Sequence, residues 1–473
     1  MTIFFLFVVF FHVSGFLSSI NAIMSTRTPQ GAIAWAVFLI SFPYVAVPAY
    51  WILGRDRFRG YIVARRDSQD KLSQLVDRVQ NGLSEFCTQD ESDALSANNS
   101  VATRLTGMPF LQGNSVQLLK DGEATFNSIL QGLERARKFV LFQFFIIKND
   151  EIGQEIKRGL IARAALGVRI YFLYDEIGSH QLSGSYLQEL KNAGISVNAF
   201  NTRKGPSNRF QLNFRNHRKL VVIDASEAWI GGHNVGDEYL GRDPKFGHWR
   251  DTHVHIKGPA AIASQLSFLQ DWYWATDSLL ELDWTPHRSE SNLPVLIAAT
   301  GPADQFETAS LLFTHAINSA QERIWIASPY FVPDEAVMQA LKLASTRGVD
   351  VRILIPDKPD HLGPYLAAFA YQLKASGTGV KFYRYTNGFM HQKILLQDNL
   401  VSSVGSANFD NRSFRLNFEI SAIIADADFS RQVEAMLQAD FEAANLMQPF
   451  ALTEKPYWFQ LAVNLARLAS PLQ

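Results

Sequence analysis

Cysteine is nearly absent from this chain of 473 residues, which contains Cys87 alone. A single thiol excludes an internal disulfide framework and any metal cluster held by several thiolates. Net charge is also nearly absent, since 44 Lys and Arg face 45 Asp and Glu. This balance removes the simplest electrostatic argument for a nucleic-acid partner, and we expect none. The length favours two globular domains, and an apolar content of 47% is enough to bury their cores.

Charged residues are missing from the two N-terminal stretches 1–26 and 28–54. Each stretch is long and apolar enough to cross a hydrocarbon core of about 30 Å as a helix. The sequence therefore predicts membrane-spanning helices over 2–23 and 31–53, the second one kinked by its prolines. A cleaved signal peptide followed by one anchor is the alternative, which the lack of a basic residue before the first apolar run disfavours.

The distribution of arginine predicts how this helical pair is oriented. The connection between the two predicted helices carries Arg27 alone, whereas five arginines follow the second helix: Arg55, Arg57, Arg59, Arg65 and Arg66. Positive residues collect on the cytoplasmic side of a membrane. We therefore expect a hairpin with the long C-terminal part in the cytoplasm, after a juxtamembrane helix and linker over 55–113.

Beyond this linker, short apolar runs alternate with amphipathic stretches, which is typical of an α/β sheet covered by helices. The alternation occurs twice as strand, helix and strand, over 139–147, 152–166 and 168–174 and again over 323–327, 334–345 and 349–355. An H-x-K-x4-D motif and a following asparagine also recur at a constant offset of 174 residues, as His217, Lys219, Asp224 and Asn234 and as His391, Lys393, Asp398 and Asn408. A repeat in fixed register indicates a duplicated domain.

The chemistry of the motif points to a phosphate. The apolar run Leu220–Ile223 predicts a strand, on which residues two apart project to the same face. His217 and Lys219 then project together, as do His391 and Lys393. An ammonium can neutralise a phosphate oxygen while the imidazole attacks phosphorus or carries a proton. An exposed strand face is the alternative, and the second copy in register disfavours it.

The paired motifs, with Gly-Gly-x-Asn and Gly-Ser-x-Asn after them, resemble those of the phospholipase D superfamily. The flanking stretches narrow the resemblance to bacterial cardiolipin synthases, and they are YDEIGS (174–179), GGHNVGDEYLG (231–241), WRDTHV (249–254), SPYFVPD (328–334) and GSANFDNRSFRLNFEI (405–420). The resemblance implies an α/β fold of two phospholipase D-like domains related by a pseudo-twofold axis. We place them at 114–285, with the motif region 212–239, and at 286–450, with the motif region 386–413.

The resemblance also implies roles for the motif residues. His217 is expected to be the nucleophile that forms a phosphohistidine and His391 the acid and base, although the symmetry makes the reverse chemically reasonable. The other groups expected at the phosphate are the lysines Lys219 and Lys393 and the asparagines Asn234 and Asn408. The motif aspartates Asp224 and Asp398, grouped with the catalytic residues by the motif, should face away and act structurally.

Family members place a carboxylate a few tens of residues after each motif histidine to hold its second ring nitrogen. Asp251 and Glu419 lie in that window after His217 and His391. His253 and His255 share a strand face, but without a third ligand they predict a core strand rather than a metal site. We expect neither metal nor cofactor, because the lysines supply the positive charge.

Two further segments have open alternatives. Basic residues crowd the approach to the first motif, where they either attract anionic lipid headgroups or form a solvated loop: Arg203, Lys204, Arg209, Arg215 and Arg218. The tail 451–473 carries an apolar stripe of Trp458, Leu461, Leu465 and Leu468 at helical spacing. This stripe predicts an interfacial helix on the membrane, with packing on the second domain as the alternative.

The sequence therefore predicts a cardiolipin synthase that acts on phosphatidylglycerol and other anionic phospholipids at the membrane. By the resemblance, it is a multi-pass protein of the bacterial inner membrane with cytoplasmic catalytic domains. A hydrolytic phospholipase D, or a phosphatidyltransferase with another donor or acceptor, would use the same residues. A nuclease is disfavoured by the neutral charge, and a catalytically silent membrane scaffold by the intact motifs. Oligomeric state is left open.

Overall fold

The computed structural model describes residues 2–26, 28–54, 69–88, 94–200 and 213–472. It begins with three apolar helices: α1 (Thr2–Ser25), α2 (Pro29–Ser41) and α3 (Pro43–Leu53). The stretch predicted as the second span, 31–53, is divided at Phe42 into α2 and α3, and whether it crosses a membrane stays a prediction. Pro43 lacks a backbone N–H and disfavours helical geometry at the residue before it, so a new helix begins there. Among the described helices, α1 alone has the length and hydropathy to cross a membrane.

The three apolar helices pack on one another. Small buried residues of α1, including Gly15 and Ser18, line the contact, and a Cβ on Gly15 would lie 2.5 Å from the Leu39 carbonyl oxygen. The Tyr50 hydroxyl donates to Asn21 Oδ1 at 2.8 Å, and Trp51 Nε1 donates to Ser18 Oγ at 3.1 Å. Small residues and interhelical hydrogen bonds of this kind are typical of helices that associate in lipid.

The described part of the segment predicted as a juxtamembrane helix and linker, 69–88 and 94–113, is built into the globular body. It contains α4 (Gln69–Leu83) and α5 (Ala94–Thr106). Val79, Leu83 and Phe86 are buried in the main core, so this stretch is more than a connection. The five arginines after the second apolar run fall in 55–68, outside the described residues, and the topology predicted from them stays a prediction.

The first half of the globular body covers 111–276. In chain order its elements are β1 (Leu111–Lys120), α6 (Asp121–Arg135), β2 (Phe139–Phe144), α7 (Glu151–Ala165), β3 (Arg169–Asp175), α8 (Gly184–Asn192), β4 (Ser196–Phe200), β5 (Arg215–Asn216), β6 (Leu220–Ile223), β7 (Glu227–Gly231), β8 (Trp249–Arg250), β9 (Thr252–Lys257) and α9 (Ala260–Thr276).

The second half covers 293–446 and is followed by a tail helix. Its elements are β10 (Leu293–Thr300), α10 (Thr308–Ser319), β11 (Arg323–Ala327), β12 (Phe331–Val332), α11 (Glu335–Thr346), β13 (Asp350–Pro356), α12 (Leu362–Ala375), β14 (Lys381–Tyr385), β15 (Phe389–Met390), β16 (Ile394–Gln397), β17 (Val401–Gly405), β18 (Phe409–Asp410), α13 (Asn411–Arg415), β19 (Asn417–Ala425), α14 (Ala427–Glu442) and β20 (Ala444–Leu446), with α15 (Tyr457–Leu468) in the tail.

One mixed sheet runs through both halves, which join where β1 pairs antiparallel with β10. Counted outward from this seam, the first half has the order β1-β9-β7-β6-β2-β3-β4 and the second β10-β19-β17-β16-β11-β13-β14-β20. The seven strands of the first order match the first seven of the second, β20 is an additional edge strand of the second half, and helices cover the sheet. The predicted α/β class and the duplication are confirmed. A hydrophobic core crosses the seam, since Val254 and Ile256 share one cluster with Ile420 and Ala422.

The tail helix α15 packs on the second half through one face only. Val463 is fully buried, and the Phe459 ring lies edge-on to Phe369 of α12. The residues of the predicted apolar stripe remain exposed on the other face: Trp458, Leu461, Leu465 and Leu468. Packing on the second half therefore accounts for Val463 and Phe459 but leaves the stripe uncovered.

Candidate active site

Each motif histidine is attached by backbone hydrogen bonds to the opposite half of the molecule. The His217 N–H donates to the Phe418 carbonyl oxygen at 2.9 Å, and the His391 N–H donates to that of Arg250 at 2.8 Å. The predicted strand covers only the apolar end of each motif, β6 and β16, and the histidine and lysine lie in the segment before it. The two motif segments are thereby brought to one place, between the halves.

The histidines and their carboxylates are paired across the halves. His217 Nδ1 lies 2.9 Å and 3.0 Å from the two carboxylate oxygens of Glu419, and His391 Nδ1 lies 2.8 Å from Asp251 Oδ2. Each carboxylate thus holds the histidine of the other half, rather than the histidine that it follows in sequence. Both carboxylates are buried, where an ionic hydrogen bond is strong.

In each half, the second residue of the Gly-Gly-x-Asn or Gly-Ser-x-Asn pattern lies against the carboxylate of that half. This residue is Gly232 in the first half and Ser406 in the second. Ser406 Oγ donates to Glu419 Oε2 at 2.5 Å, and Asn417 Nδ2 donates to Oε1 at 3.1 Å. At the matching position of the first half, a Cβ on Gly232 would lie 2.1 Å from Asp251 Oδ1. The first half therefore requires glycine at this position, and the second uses a serine to fix its carboxylate.

Burial keeps both imidazoles neutral in the free protein. It lowers the pKa of His217 to about 4, against the opposing charge of Glu419. It lowers the pKa of His391 well below the usual value, and the charge of Lys393 adds to the effect. If the Nδ1 proton of each ring is donated to the carboxylate, the Nε2 lone pair is left available to phosphorus or to a proton.

The two motif lysines are buried beside the histidines. Lys219 Nζ donates to the His217 carbonyl oxygen at 2.7 Å, and Lys393 Nζ donates to that of His391. Burial lowers the pKa of Lys219 well below the usual value and that of Lys393 to about 8. Lys393 also acts on the pKa of His217, so cations of both halves act on one site. An anion bound there would restore their charged forms.

The two asparagines have different surroundings. Asn234 Oδ1 accepts from the Ile146 N–H at 3.1 Å, and its Nδ2 donates to the Tyr239 hydroxyl at 3.0 Å. Asn408 is buried, and its Oδ1 has no hydrogen-bond partner within the described residues. Tyr239, whose ring lies 6.4 Å from that of His391, was missed by the sequence reasoning. It lies in the stretch GGHNVGDEYLG, which was used only to support the resemblance.

The motif aspartates accept hydrogen bonds from backbone N–H groups, and their place among the catalytic residues stays a prediction. Asp224 accepts from the backbone N–H groups of Arg137, Lys138 and Phe139. Asp398 does the same for three residues of the second half, namely Gln321, Glu322 and Arg323. Both adopt positive φ, 50° and 52°, in the turn after the motif strand. They bind the chain that enters β2 and β11 and so fix these strands against the motif strands.

A buried polar network behind each motif was not predicted. Arg218 is not part of a basic approach, because it is buried and its Nη1 donates to Asp271 Oδ1 at 2.8 Å. Behind the second motif, Arg250 Nε donates to Asp440 Oδ1 at 2.7 Å, and Gln392 Nε2 donates to Asp440 Oδ2 at 2.7 Å. The residue between His and Lys, Arg218 or Gln392, thus binds each motif to the last helix of its own half, α9 or α14. Arg203, Lys204 and Arg209 lie outside the described residues.

The remaining histidines of the sheet have partners other than a metal. His253 Nδ1 lies 3.0 Å from His233 Nδ1, and His255 Nε2 lies 2.7 Å from Glu227 Oε2. In the part of the chain that the structure describes, no three His, Cys, Asp or Glu side chains are grouped as metal ligands. The prediction of a core strand at His253 and His255 agrees with their burial.

Comparison with known proteins identifies relatives over nearly the whole chain. A family model described as cardiolipin synthase, phospholipase D-like domain, matches residues 129–268 and 313–441. Cardiolipin synthase A of Pseudomonas putida (strain W619) is 48% identical over 98% of this chain and 96% of its own length. Cardiolipin synthase A of Pseudomonas aeruginosa (strain UCBPP-PA14) is 46% identical over 97% of this chain and 94% of its own.

Among solved structures, phosphatidylserine synthase of Haemophilus influenzae Rd KW20 matches with a TM-score of 0.59. It covers 80% of this chain and all of its own, at 14% identity, so this likeness concerns the fold alone. The family model covers more than half of the chain, in one segment of each half, and both segments contain a motif. Together with the identity to the Pseudomonas proteins, this places the chain in the cardiolipin synthase family of phospholipase D-like phosphatidyltransferases.

Proposed function

We propose that this protein transfers the phosphatidyl group of one phosphatidylglycerol, by way of His217, to the terminal hydroxyl of a second phosphatidylglycerol. The products are cardiolipin and glycerol. The observation that carries the proposal is the pair of buried imidazoles, each with Nδ1 against a carboxylate of the other half. Such a pair supplies one nucleophile and one proton carrier, which are the two functions that a double displacement at phosphorus needs.

In the first step, His217 Nε2 attacks phosphorus, an N–P bond forms, and the bond from phosphorus to the glycerol headgroup oxygen breaks. That oxygen takes a proton from His391. His391 is neutral in the free protein, and the bound phosphodiester anion favours its protonated form. Glu419 stabilises the positive charge that develops on the His217 ring, as the buried carboxylate does in other triads.

In the second step, His391 accepts the proton of the terminal hydroxyl of the second phosphatidylglycerol. The hydroxyl oxygen attacks phosphorus, and the N–P bond to His217 breaks, which restores both rings. Lys219 and Lys393 face the non-bridging oxygens in both steps, and the amides of Asn234 and Asn408 complete the phosphate site. Charge is stabilised by groups already in place, which is the least costly way to lower such a barrier.

The test uses the purified full-length protein with phosphatidylglycerol vesicles labelled in the headgroup. We expect cardiolipin and one glycerol per cardiolipin, and His217→Ala and His391→Ala should each lower the rate at least about a thousandfold. Phosphatidic acid as the main product would instead identify a hydrolase. Release of ethanolamine from phosphatidylethanolamine would identify another phosphatidyl donor. If no phospholipid is converted, the protein would be a catalytically silent membrane scaffold.

The roles of the two histidines can be separated with a phosphatidyl ester of p-nitrophenol, whose leaving group needs no proton. His391→Ala should then release one nitrophenolate per site in a rapid burst and stop as a phosphohistidine, because the acceptor hydroxyl is not deprotonated. His217→Ala should give no burst. The reverse pattern would assign the nucleophile to His391.

We further propose that α1 forms a membrane hairpin with α2 and α3, in a multi-pass protein of the bacterial inner membrane whose catalytic halves are cytoplasmic and related by a pseudo-twofold axis. The apolar outer surfaces of α1 to α3 support the hairpin, and the matching strand orders support the axis. Asn213 Nδ2 donates to the Leu53 carbonyl oxygen at 2.9 Å, which ties α3 to the first motif segment. Reporter fusions at the N-terminus and after Gln473 test the topology, and both should report the cytoplasm.

A further inference from the structure

A cavity of about 480 Å³ lies in the second half, between the sheet and the helices α5 and α10. Most of its wall is apolar, with Ala102 and Phe110 on the N-terminal side, Leu312 and Ala316 on α10, and Ile423 on the sheet. The catalytic scheme makes no use of this space. A cavity with such walls excludes a polar headgroup and suits a hydrocarbon chain.

The cavity lies on the sheet face that carries the catalytic groups of the second half. Ser421 and Ile423 line it and follow Glu419 at two-residue spacing on β19, so the three share a face. Thr300, which also lines the cavity, is the direct antiparallel partner of Glu419. Ala407, another wall residue, immediately precedes Asn408. The cavity therefore begins beside Glu419, the carboxylate that contacts His217 Nδ1.

From there the cavity follows the strands away from the site. Leu395 and Gln397 of β16 line it, and so does Asp398 at the end of that strand. These residues follow Lys393 along one strand direction. An extended chain attached near the phosphate would therefore run along the sheet, beneath α10.

The first half is filled where the second half is hollow. At the offset of 174 residues, Ser403 corresponds to Trp229 and Ala407 to His233. In the strand register, Ser421 pairs with Gly405 as His253 pairs with Gly231. The large residues of the first half are all fully buried, namely Trp229, His233 and His253. Small residues replace them in the second half, so space that is filled by side chains in the first half is open in the second.

We propose that the cavity of the second half binds one acyl chain of the phosphatidyl substrate, a proposal that rests on the proposed function. The chain lies along β16 and β19 while its phosphodiester reaches the two histidines. In the described part of the first half, Trp229, His233 and His253 occupy the corresponding positions, so the site is asymmetric toward lipid although its catalytic groups are duplicated. Binding energy from the chain then holds the phosphorus in position for attack.

The test compares dipalmitoyl with dihexanoyl phosphatidylglycerol, both presented to the full-length protein in the same detergent micelles. Ser403→Trp places in the second half the residue that fills the first. It should lower the ratio of kcat/KM for the long chain to that for the short chain by about tenfold, the effect of roughly two methylene groups withdrawn from apolar surroundings. Ala316→Phe fills the cavity from the opposite wall and should do the same. Ser196→Trp, on the exposed start of edge strand β4, is the matched control and should keep the wild-type ratio.

The outcomes separate this proposal from the proposed function. If the wild-type protein converts neither lipid, the proposed function fails. If it converts both and the two filling variants keep the wild-type ratio while melting at a higher temperature, the cavity is only an unfilled gap, and the assignment is overturned. If Ser403→Trp gives no cooperative melting transition, the decision rests on Ala316→Phe. An equal loss for both lipids would also overturn the assignment, because it would indicate damage to the phosphate site.

Discussion

Each carboxylate of the site contacts the histidine of the other half. If each contacted the histidine of its own half instead, the expected effects of the Glu419 and Asp251 variants would be exchanged. Glu419 lies in the second half but holds His217, and Asp251 lies in the first half but holds His391. Glu419→Gln should therefore impair the nucleophile, and Asp251→Asn should impair the acid and base. The phosphatidyl ester of p-nitrophenol separates the two effects, because its leaving group needs no acid.

The size of the Glu419→Gln effect follows from the contacts of the carboxylate. It accepts from His217, Ser406 and Asn417 and is almost fully buried. Losing a charged hydrogen bond costs about 1.5–3 kcal/mol, or roughly 10- to 150-fold in rate. In serine proteases, replacing the buried carboxylate by an amide also favours the wrong tautomer of the imidazole and lowers the catalytic rate up to about 10⁴-fold. We expect the burst rate to fall between about 10²-fold and 10⁴-fold.

Asp251→Asn should keep a burst within about threefold of the wild-type rate and then turn over slowly, because acceptor deprotonation depends on His391. Glu335→Gln, at the exposed start of α11, is the matched control and should leave both phases unchanged. Where the alanine variants have identified His217 as the nucleophile, the crossed pairing is refuted if Glu419→Gln retains the burst and Asp251→Asn loses it. Melting curves for all three variants verify that they are folded.

Three other variants test the lysine charge and the two structural contacts. Burial lowers the pKa of Lys393 to about 8, so its charge is present below that pH and lost above it. We therefore expect kcat/KM to decline as pH rises through about 8. Lys393→Arg should move this decline to higher pH. Asp224→Ala deprives three backbone N–H groups of their acceptor and should lower the free energy of unfolding by about 2–4 kcal/mol in urea titrations. Asp271→Ala leaves the Arg218 charge buried without its carboxylate and should cost about 3–5 kcal/mol in the same titration.

Each of these expectations can fail in a defined way. A kcat/KM that stays flat from pH 7 to about pH 10 would show that the Lys393 charge is not needed in the free enzyme. If Asp224→Ala abolishes turnover in fully folded protein, as His217→Ala should, the aspartate has a catalytic role after all. A wild-type urea midpoint for Asp271→Ala would mean that water or another acceptor replaces the carboxylate at Arg218.

The sequence was sufficient to predict the features that depend on local, repeated patterns of residues. Alternating apolar runs predicted the α/β class, and the constant offset between the motifs predicted the duplication, because both depend on residues close in the chain. The structural role of the motif aspartates could be anticipated for the same reason. A position seven residues beyond the histidine lies past the end of a short strand, where a side chain can cap the neighbouring backbone.

The other features of the site depend on contacts between segments that are distant in the chain. The spacing of residues along the sequence does not show these contacts. Asp251 and Glu419 were identified by their distance from a histidine, but each contacts the histidine of the other half. Arg218 was grouped with nearby basic residues, whereas its charge is matched by Asp271, 53 positions away in sequence. The apolar run predicted one helix over 31–53, kinked by its prolines, because hydropathy does not show that Pro43 divides the helix after Phe42.

The backbone seam and the crossed carboxylates have a consequence for how the protein is made. The first half leaves the ribosome before the second and already contains His217, Lys219 and Asp251. Without Glu419 its nucleophile has no partner for Nδ1, and without β19 the backbone N–H of His217 has no acceptor from Phe418. On the proposed mechanism, we therefore expect a nascent chain, or one truncated before residue 419, to be inactive beside the membrane. Catalysis should begin only when the second half has been synthesised and has docked on the first.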